Sequence, residues 1–220
     1  MEKKSSRLRR KLVRNLRDVG VLCTARKGLV CLFSPFYLHK VYRIYSIRLD
    51  QGAQPVPPRD DFEFRFITVN DSRLIQQIEV QEEWLAGKIE SKLESGAICL
   101  VALDGETVAG FNVVSFGEVY IPFIRMKRRF RPNEAWSDQV TVSYLYRGRG
   151  LGVSLRLRIF EELRLRGIRR LIGGTLPNNH ANLALCRKVG LQEVANAHYV
   201  RQFGRERWYF KRVRPDQGCV

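Results

Sequence analysis

Apolar residues first recur at helical spacing near the N-terminus, where Leu8, Leu12, Leu16 and Val19 stand four, four and three apart with arginines between them. That period predicts a basic amphipathic helix over 5–22. The cluster that follows, between 29 and 45, carries Phe33, Phe36, Tyr37, Tyr42 and Tyr45 and is too aromatic for a disordered tail. Gly52, Pro55, Pro57 and Pro58 then prevent regular structure, and 51–61 reads as a linker. Phe62, Phe64 and Phe66 alternate as a strand. Asn70-Asp71 offers a cap for a helix through Leu74, Ile75 and Ile78, and a second helical pattern runs through Trp84, Leu85, Ile89 and Leu93. The segments 97–103 and 107–116 flank Asp104-Gly105, a strong hairpin signal. An irregular basic insertion occupies 118–134, and its 126–131 stretch reads as a loop. Beyond it come a strand over 138–143, a helix through Val153, Leu155, Leu157, Phe160 and Leu163, a strand over 170–175 and another helix. The stretch 195–213, broken at Gly204-Arg205, reads as two last strands. The boundaries expected are an extension at 1–50, a main domain at 62–213 and a tail at 214–220.

Between the strand at 138–143 and the long helix lies Tyr146-Arg147-Gly148-Arg149-Gly150-Leu151-Gly152. A glycine-rich turn that opens a helix presents unobstructed N–H groups at the positive end of the helix dipole, which suits a phosphate. A Walker loop would need Gly-Lys-Ser/Thr, and here Val153-Ser154 follows the last glycine. A dinucleotide fingerprint would need G-x-G-x-x-G, and this turn is G-x-G-x-G with no acidic residue at the ribose-binding distance. The pattern Arg-x-x-Gly-x-Gly at a helix start instead resembles the acyl-CoA pyrophosphate loop of the GNAT (Gcn5-related) N-acetyltransferase superfamily. Downstream, Asn179 begins a helix that ends in Lys188-Val189-Gly190-Leu191, which is similar to the superfamily's second signature.

The resemblance covers 62–213 and implies an α/β (α+β) fold: a mixed, twisted sheet with helices on both faces, opened into a V between its fourth and fifth strands, with a basic helical N-terminal extension added here. It implies acetyl-CoA as co-substrate and no metal. The backbone of Val140, Thr141 and Val142 would pair with the pantetheine arm. Gly148, Gly150, Leu151, Gly152 and Val153 would hold the pyrophosphate, with Arg147 and Arg149 adding charge, although Arg149 reads equally as a surface residue. Asn179 would contact the cofactor, cap its helix, or do both.

Acetyl transfer to an amine needs a neutral amine, a stabilised oxyanion and a proton for the thiolate. Where many relatives have a proton-donating tyrosine, seven residues after the asparagine, this chain has Cys186, which reads more readily as a small buried hydrophobe. The position five before Asn179, acidic in one branch of the superfamily, is Gly174. Asp138 and Glu118 are the carboxylates that the architecture would bring toward an acceptor, each with the alternative of a solvated strand end. Tyr199 is a candidate substitute acid. His180 and His198 are poorer candidates.

Charge changes the picture of partners. The 39 Lys+Arg against 22 Asp+Glu give a formal charge of +17, which favours anionic partners. Much of the excess lies in the first 50 residues, where Glu2, Asp18 and Asp50 are the only acids. An anionic membrane surface bound through 1–50 is the expected partner, nucleic acid less so, with packing of this arm on the domain as the alternative. Five cysteines without a C-x-x-C pair indicate neither a disulfide framework nor a zinc site. The expectation is therefore a cytoplasmic, peripherally membrane-bound N-acetyltransferase acting by direct attack of an amine. Its acceptor is an amino sugar in surface-polysaccharide synthesis or, alternatively, a protein or peptide amine. A non-catalytic acyl-CoA- or nucleic-acid-binding module is the rival, and oligomeric state is not legible.

Overall fold

The computed structural model describes residues 36–50, 61–82 and 85–213. The helix expected at 5–22, the start of the aromatic cluster, the linker and the tail lie outside the described residues. The order is β1 (Tyr37–Arg48), β2 (Glu63–Ile67), α1 (Ser72–Gln81), α2 (Ile89–Glu94), β3 (Ile98–Asp104), β4 (Thr107–Ser115), β5 (Glu118–Ile121), β6 (Met126–Arg129), β7 (Glu134–Val142), α3 (Leu151–Leu165), β8 (Arg170–Thr175), α4 (His180–Lys188), β9 (Gln192–Gln202) and β10 (Arg205–Arg212). Among the described residues, eight strands form one sheet in the order β10-β9-β1-β8-β7-β4-β3-β2, and β5 pairs with β6.

Among the described residues, 41–197 with 210–213 form one compact unit, and 36–40 with 198–209 form a second. In the smaller unit the Phe203 N–H donates to the Phe36 carbonyl at 2.8 Å. The His39 and His198 rings meet at 3.0 Å between Nε2 and Nδ1, and His198 stacks on Tyr209 with centroids 4.4 Å apart.

In the larger unit the strand alternation sorts side chains into two apolar layers. One face of β3 and β4 offers Cys99, Val101, Leu103, Phe111 and Val113 to Leu74, Ile75 and Ile78 of α1 and Ile89 of α2. The opposite face offers Ile98, Leu100, Ala102 and Val114 to the stripe Leu151, Leu155, Ile159 and Leu163 of α3, a helix period laid on a strand period. Asp71 stands at the start of α1 as expected, but its carboxylate accepts from the Thr68 N–H at 2.8 Å and not from a helix N–H. Of the helical pattern expected through Trp84, Leu85, Ile89 and Leu93, Trp84 lies outside the described residues, and the helix spans Ile89–Glu94, with Gly87 at φ 69° in the turn before it.

Two expectations need correction. The segment 37–48, read as extension, is a strand inside the sheet: β1 runs antiparallel to β8 from Arg43↔Thr175 to Arg48↔Arg170. Tyr42, Ile44, Tyr45 and Ile47 are buried. A strand covered on both faces shows apolar residues at successive positions and loses the alternation that betrays an exposed sheet. The domain therefore includes sequence on both sides of 51–61. The insertion at 118–134 is also more regular than its composition suggests: β5 and β6 form a hairpin, Glu118↔Arg129 to Ile121↔Met126, with Val119 and Ile121 buried beneath it.

One close approach fixes the end of β8. A Cβ on Gly174 would lie 2.1 Å from Cε1 of Tyr42, whose hydroxyl donates to the Gly174 carbonyl at 2.8 Å. Gly174→Ala should therefore destabilise the protein by about 1–3 kcal/mol, as overpacking does. Denaturant unfolding checks this, and adding Tyr42→Ala should make the glycine substitution nearly neutral in the doubly substituted chain.

Candidate active site

Strand β7 is paired with β4 from Trp136 to Val142 on one side, but with β8 on the other only over its first residues. The parallel pairing with β8 runs from Glu134↔Arg170 to Ser137↔Gly173 and ends there. The remaining residues of β7 keep their antiparallel partners in β4 as far as Val142↔Gly110. Their other edge faces a cleft, and an unpaired strand edge is a template for an extended, hydrogen-bonding ligand. This is the expected V between the fourth and fifth strands, counted from β2 and without the β5–β6 hairpin. At its apex the β4–β7 register shifts between Val113↔Gln139 and Val114↔Ser137, leaving Asp138 as the extra residue of a bulge. A bulge re-aims a side chain, and this one sits where the strands part.

The free edge leads through a short helical turn, Tyr144–Tyr146, into the glycine turn. Gly148 and Gly150 have φ of 81° and 78°, which side-chain-bearing residues rarely adopt. Gly150 caps α3, and its carbonyl accepts the N–H groups of Val153 at 2.9 Å and Ser154 at 3.2 Å. The N–H groups just before these begin the helix without an intrahelical partner, at its positive end. A cleft of about 500 Å³ is lined by Val140, Thr141, Val142, Gly148, Gly150, Leu151, Gly152, Val153 and Asn179, so the structure brings most of the expected cofactor residues together. Arg147 lines it as well, but its Nε donates to the Val142 carbonyl at 3.1 Å and so occupies one acceptor of the strand edge. The Arg149 guanidinium lies 5.8 Å from the Tyr146 ring centroid, stacked on the turn. Asn179 caps α4, its Oδ1 accepting the Asn182 N–H at 3.1 Å.

A smaller pocket of about 200 Å³ adjoins this cleft, sharing Gln139, Val140, Asn179 and Asn182 with it. It holds Tyr42, Ser137, Asp138, Arg156 and Cys186. The Asp138 carboxylate accepts from Lys92 Nζ at 2.8 Å and from the Ser115 hydroxyl. Burial is the main reason that the Tyr42 phenol is raised well above its ordinary value, with Asp138 adding to it. Burial likewise pushes the Cys186 thiol up, partly opposed by Arg156, and Cys186 packs in the α3 core layer. Both groups are therefore protonated at neutral pH. On the α2 side, a cleft of about 780 Å³ runs from Asp138 and Lys92 past Leu85, Ile89, Val119, Phe123 and Trp136.

The other candidates lie differently. Glu118 is exposed on β5, paired with Lys127 at 3.4 Å, and is one of the residues lining the apolar cleft. Tyr199 is buried in the smaller unit, where its hydroxyl donates to Glu206 at 2.8 Å. His180 is exposed at the first position of α4. Sequence reading missed Tyr42, which lay in the segment assigned to the extension, together with Lys92, Ser115 and Arg156. Of these Arg156 left a signal, because it stands four before Phe160 and seven before Leu163, on a helix face whose neighbours are buried. Gly174, which stands where one branch of the superfamily has a carboxylate, has no room for a side chain, because the Tyr42 ring fills the space. No group of His, Cys, Asp and Glu suited to a metal occurs among the described residues.

Comparison with known proteins agrees with this geometry. A family model described as the acetyltransferase (GNAT) family matches residues 57–191. No curated protein matches the sequence. A GCN5-related N-acetyltransferase from Sphaerobacter thermophilus is similar in structure, with a TM-score of 0.52 at 19% identity, covering 86% of this chain and 56% of that one. A Drosophila protein gives a TM-score of 0.54 at 13% identity, with 82% and 57% covered. A tandem GNAT protein from the clavulanic acid biosynthesis pathway gives 0.53 at 16% identity, with 86% and 57% covered. The chain thus spans a little over half the length of these solved proteins, and at such identities the likeness is one of fold. With the half-open strand β7, the glycine turn and the asparagine-capped helix in this order, and with the family model spanning most of the domain, the chain belongs to the GNAT acetyltransferase family.

Proposed function

We propose that this chain transfers an acetyl group from acetyl-CoA to the primary amine of a small acceptor. The observation that carries the reading is the parting of β7 from β8 after Ser137, which leaves a free strand edge running into the glycine turn. The residues present fit the cofactor. Backbone groups of Val140 and Val142, which the β4–β7 register turns to the free edge, would take an extended amide-bearing arm, the helix start at Gly150–Val153 would take phosphates, and Lys188 at the rim adds a positive charge. Acetyl-CoA, when bound, supplies an activated thioester. A backbone N–H of the β7 edge would then face the carbonyl oxygen as negative charge develops on it. Asp138, aimed by the bulge and held by Lys92 and Ser115, accepts the proton of the attacking amine as the C–N bond forms, and the C–S bond breaks to release CoA as a thiolate that takes up a proton from water.

The acceptor would enter through the apolar cleft. Its lining of Leu85, Ile89, Val119, Phe123 and Trp136, with Asp138 and Lys92 paired at one end and Lys88 and Glu118 elsewhere along it, suits an amine on an apolar body. An amino sugar would find aromatic faces at Tyr120 and Phe123 and side chains such as Ser91, Ser95 and Gln139 for its hydroxyls, but most of the lining surface is apolar. A membrane surface holding residues 1–35 would bring a lipid-soluble amine close, and the basic composition of that segment supports this placing.

Gly152 tests the cofactor seat without backbone strain: its φ is ordinary, and an added Cβ would meet Leu185 and Val142 only at 3.6–3.7 Å. Gly152→Asp should weaken acetyl-CoA binding by tenfold or more in calorimetry, since it sets a carboxylate against a phosphate, while the thermal midpoint stays the same or rises through the helix dipole. Unchanged affinity would remove the seat from this turn. For the chemistry, phenylethylamine and glucosamine can be compared by release of free CoA thiol. The first should be the better acceptor, and Asp138→Asn should lower its turnover by about 10²–10⁴-fold with little change in acetyl-CoA affinity.

A further inference from the structure

The pocket at the apex of the V holds a cation with no carboxylate paired to it. Arg156 is 4% exposed, on the second turn of α3, and lines this pocket beside Ser137, Asn182 and Cys186. Its Nη1 donates to the Ser137 hydroxyl, and its Nε has no partner. No carboxylate among the described residues pairs with it. The pocket's own acid, Asp138, is already taken by Lys92 at 2.8 Å. Burial holds the guanidinium down to about 10, so it remains charged at neutral pH. In the same pocket, the Oδ1 of Asn182 is also buried without a partner. A guanidinium presents a fork of five donors matched to a carboxylate, and a buried, nearly unpaired one is costly to keep.

We propose that Arg156 forms a carboxylate-binding subsite at the closed end of the cleft, so that one of the two substrates carries a free carboxylate there. Because the pocket adjoins the strand edge on one side and Asp138 on the other, the carboxylate belongs either to the acyl chain, as in the monothioester of a dicarboxylic acid, or to the acceptor, as in an amino acid. The inference rests on the acyl-CoA reading of the cleft and names its substrate class. Asn182 can turn its amide to supply a second hydrogen bond to the same group.

Calorimetry on the full chain separates the sources. In the first arm, succinyl-CoA is compared with acetyl-CoA and butyryl-CoA. In the second, phenylalanine is compared with phenylethylamine in the presence of CoA. The carboxylate-bearing member of one pair should bind at least tenfold more tightly than its neutral counterparts, and Arg156→Met should abolish that preference while leaving acetyl-CoA affinity within twofold. The comparison on the unsubstituted chain stands even if the variant fails to fold. If acetyl-CoA binds but neither carboxylate is preferred, or if the preference survives in Arg156→Met, the subsite is overturned. If no thioester binds at all, the reading of the cleft on which the subsite rests fails with it.

Discussion

Everything in the candidate site follows from where β7 stops pairing with β8. Parallel strands are ordinarily bonded throughout, because a buried backbone group without a partner is costly. Here the ladder ends at Ser137↔Gly173, yet β7 continues to Val142 along β4. The next residue of β8, Gly174, lies under the Tyr42 ring and gives its carbonyl to the Tyr42 hydroxyl. The strand β1 therefore satisfies part of what β7 no longer does. The edge left on β7 is polar, extended and open, and the glycine turn continues it into a helix start.

The same parting sets the chemistry of the apex. A bulge places Asp138 toward α2, where Lys92 and Ser115 hold its oxygens, while Ser137 on the other side of the strand meets Arg156 from α3. Successive residues of one strand thus present a paired carboxylate to the acceptor cleft and a hydroxyl to a buried cation. Cys186 and Tyr42 close the space between with protonated, poorly solvated groups. The polar parts of the site are few and individually fixed, and apolar surface from the β5–β6 hairpin and α2 supplies the rest.

The cofactor half of this site was legible in the sequence because it is local. A glycine turn before an amphipathic helix and an asparagine before another need no long-range contact to declare themselves, and the Asp104-Gly105 hairpin is of the same kind. What was hidden depends on distant partners. Tyr42 reaches Gly174 across 132 positions of sequence, Lys92 meets Asp138 across 46, and Ser137 meets Arg156 across two elements. The sequence of β1 resembles an appendage because a strand buried on both faces has no clear alternation. The basic hairpin was read as irregular because its exposed charges outnumber Val119 and Ile121. Glu118 and Asp138 read alike as carboxylates at strand ends, and the bulge that distinguishes them is a property of register.

The most direct test of the account is amide hydrogen exchange on the full chain with and without acetyl-CoA. Binding along the free edge of β7 and at the start of α3 should slow exchange in peptides covering 139–142 and 148–154, and leave those covering β2 and β3 unchanged. Protection confined to other segments, or none at these two, would contradict the claim that the parting of β7 from β8 makes the cofactor seat.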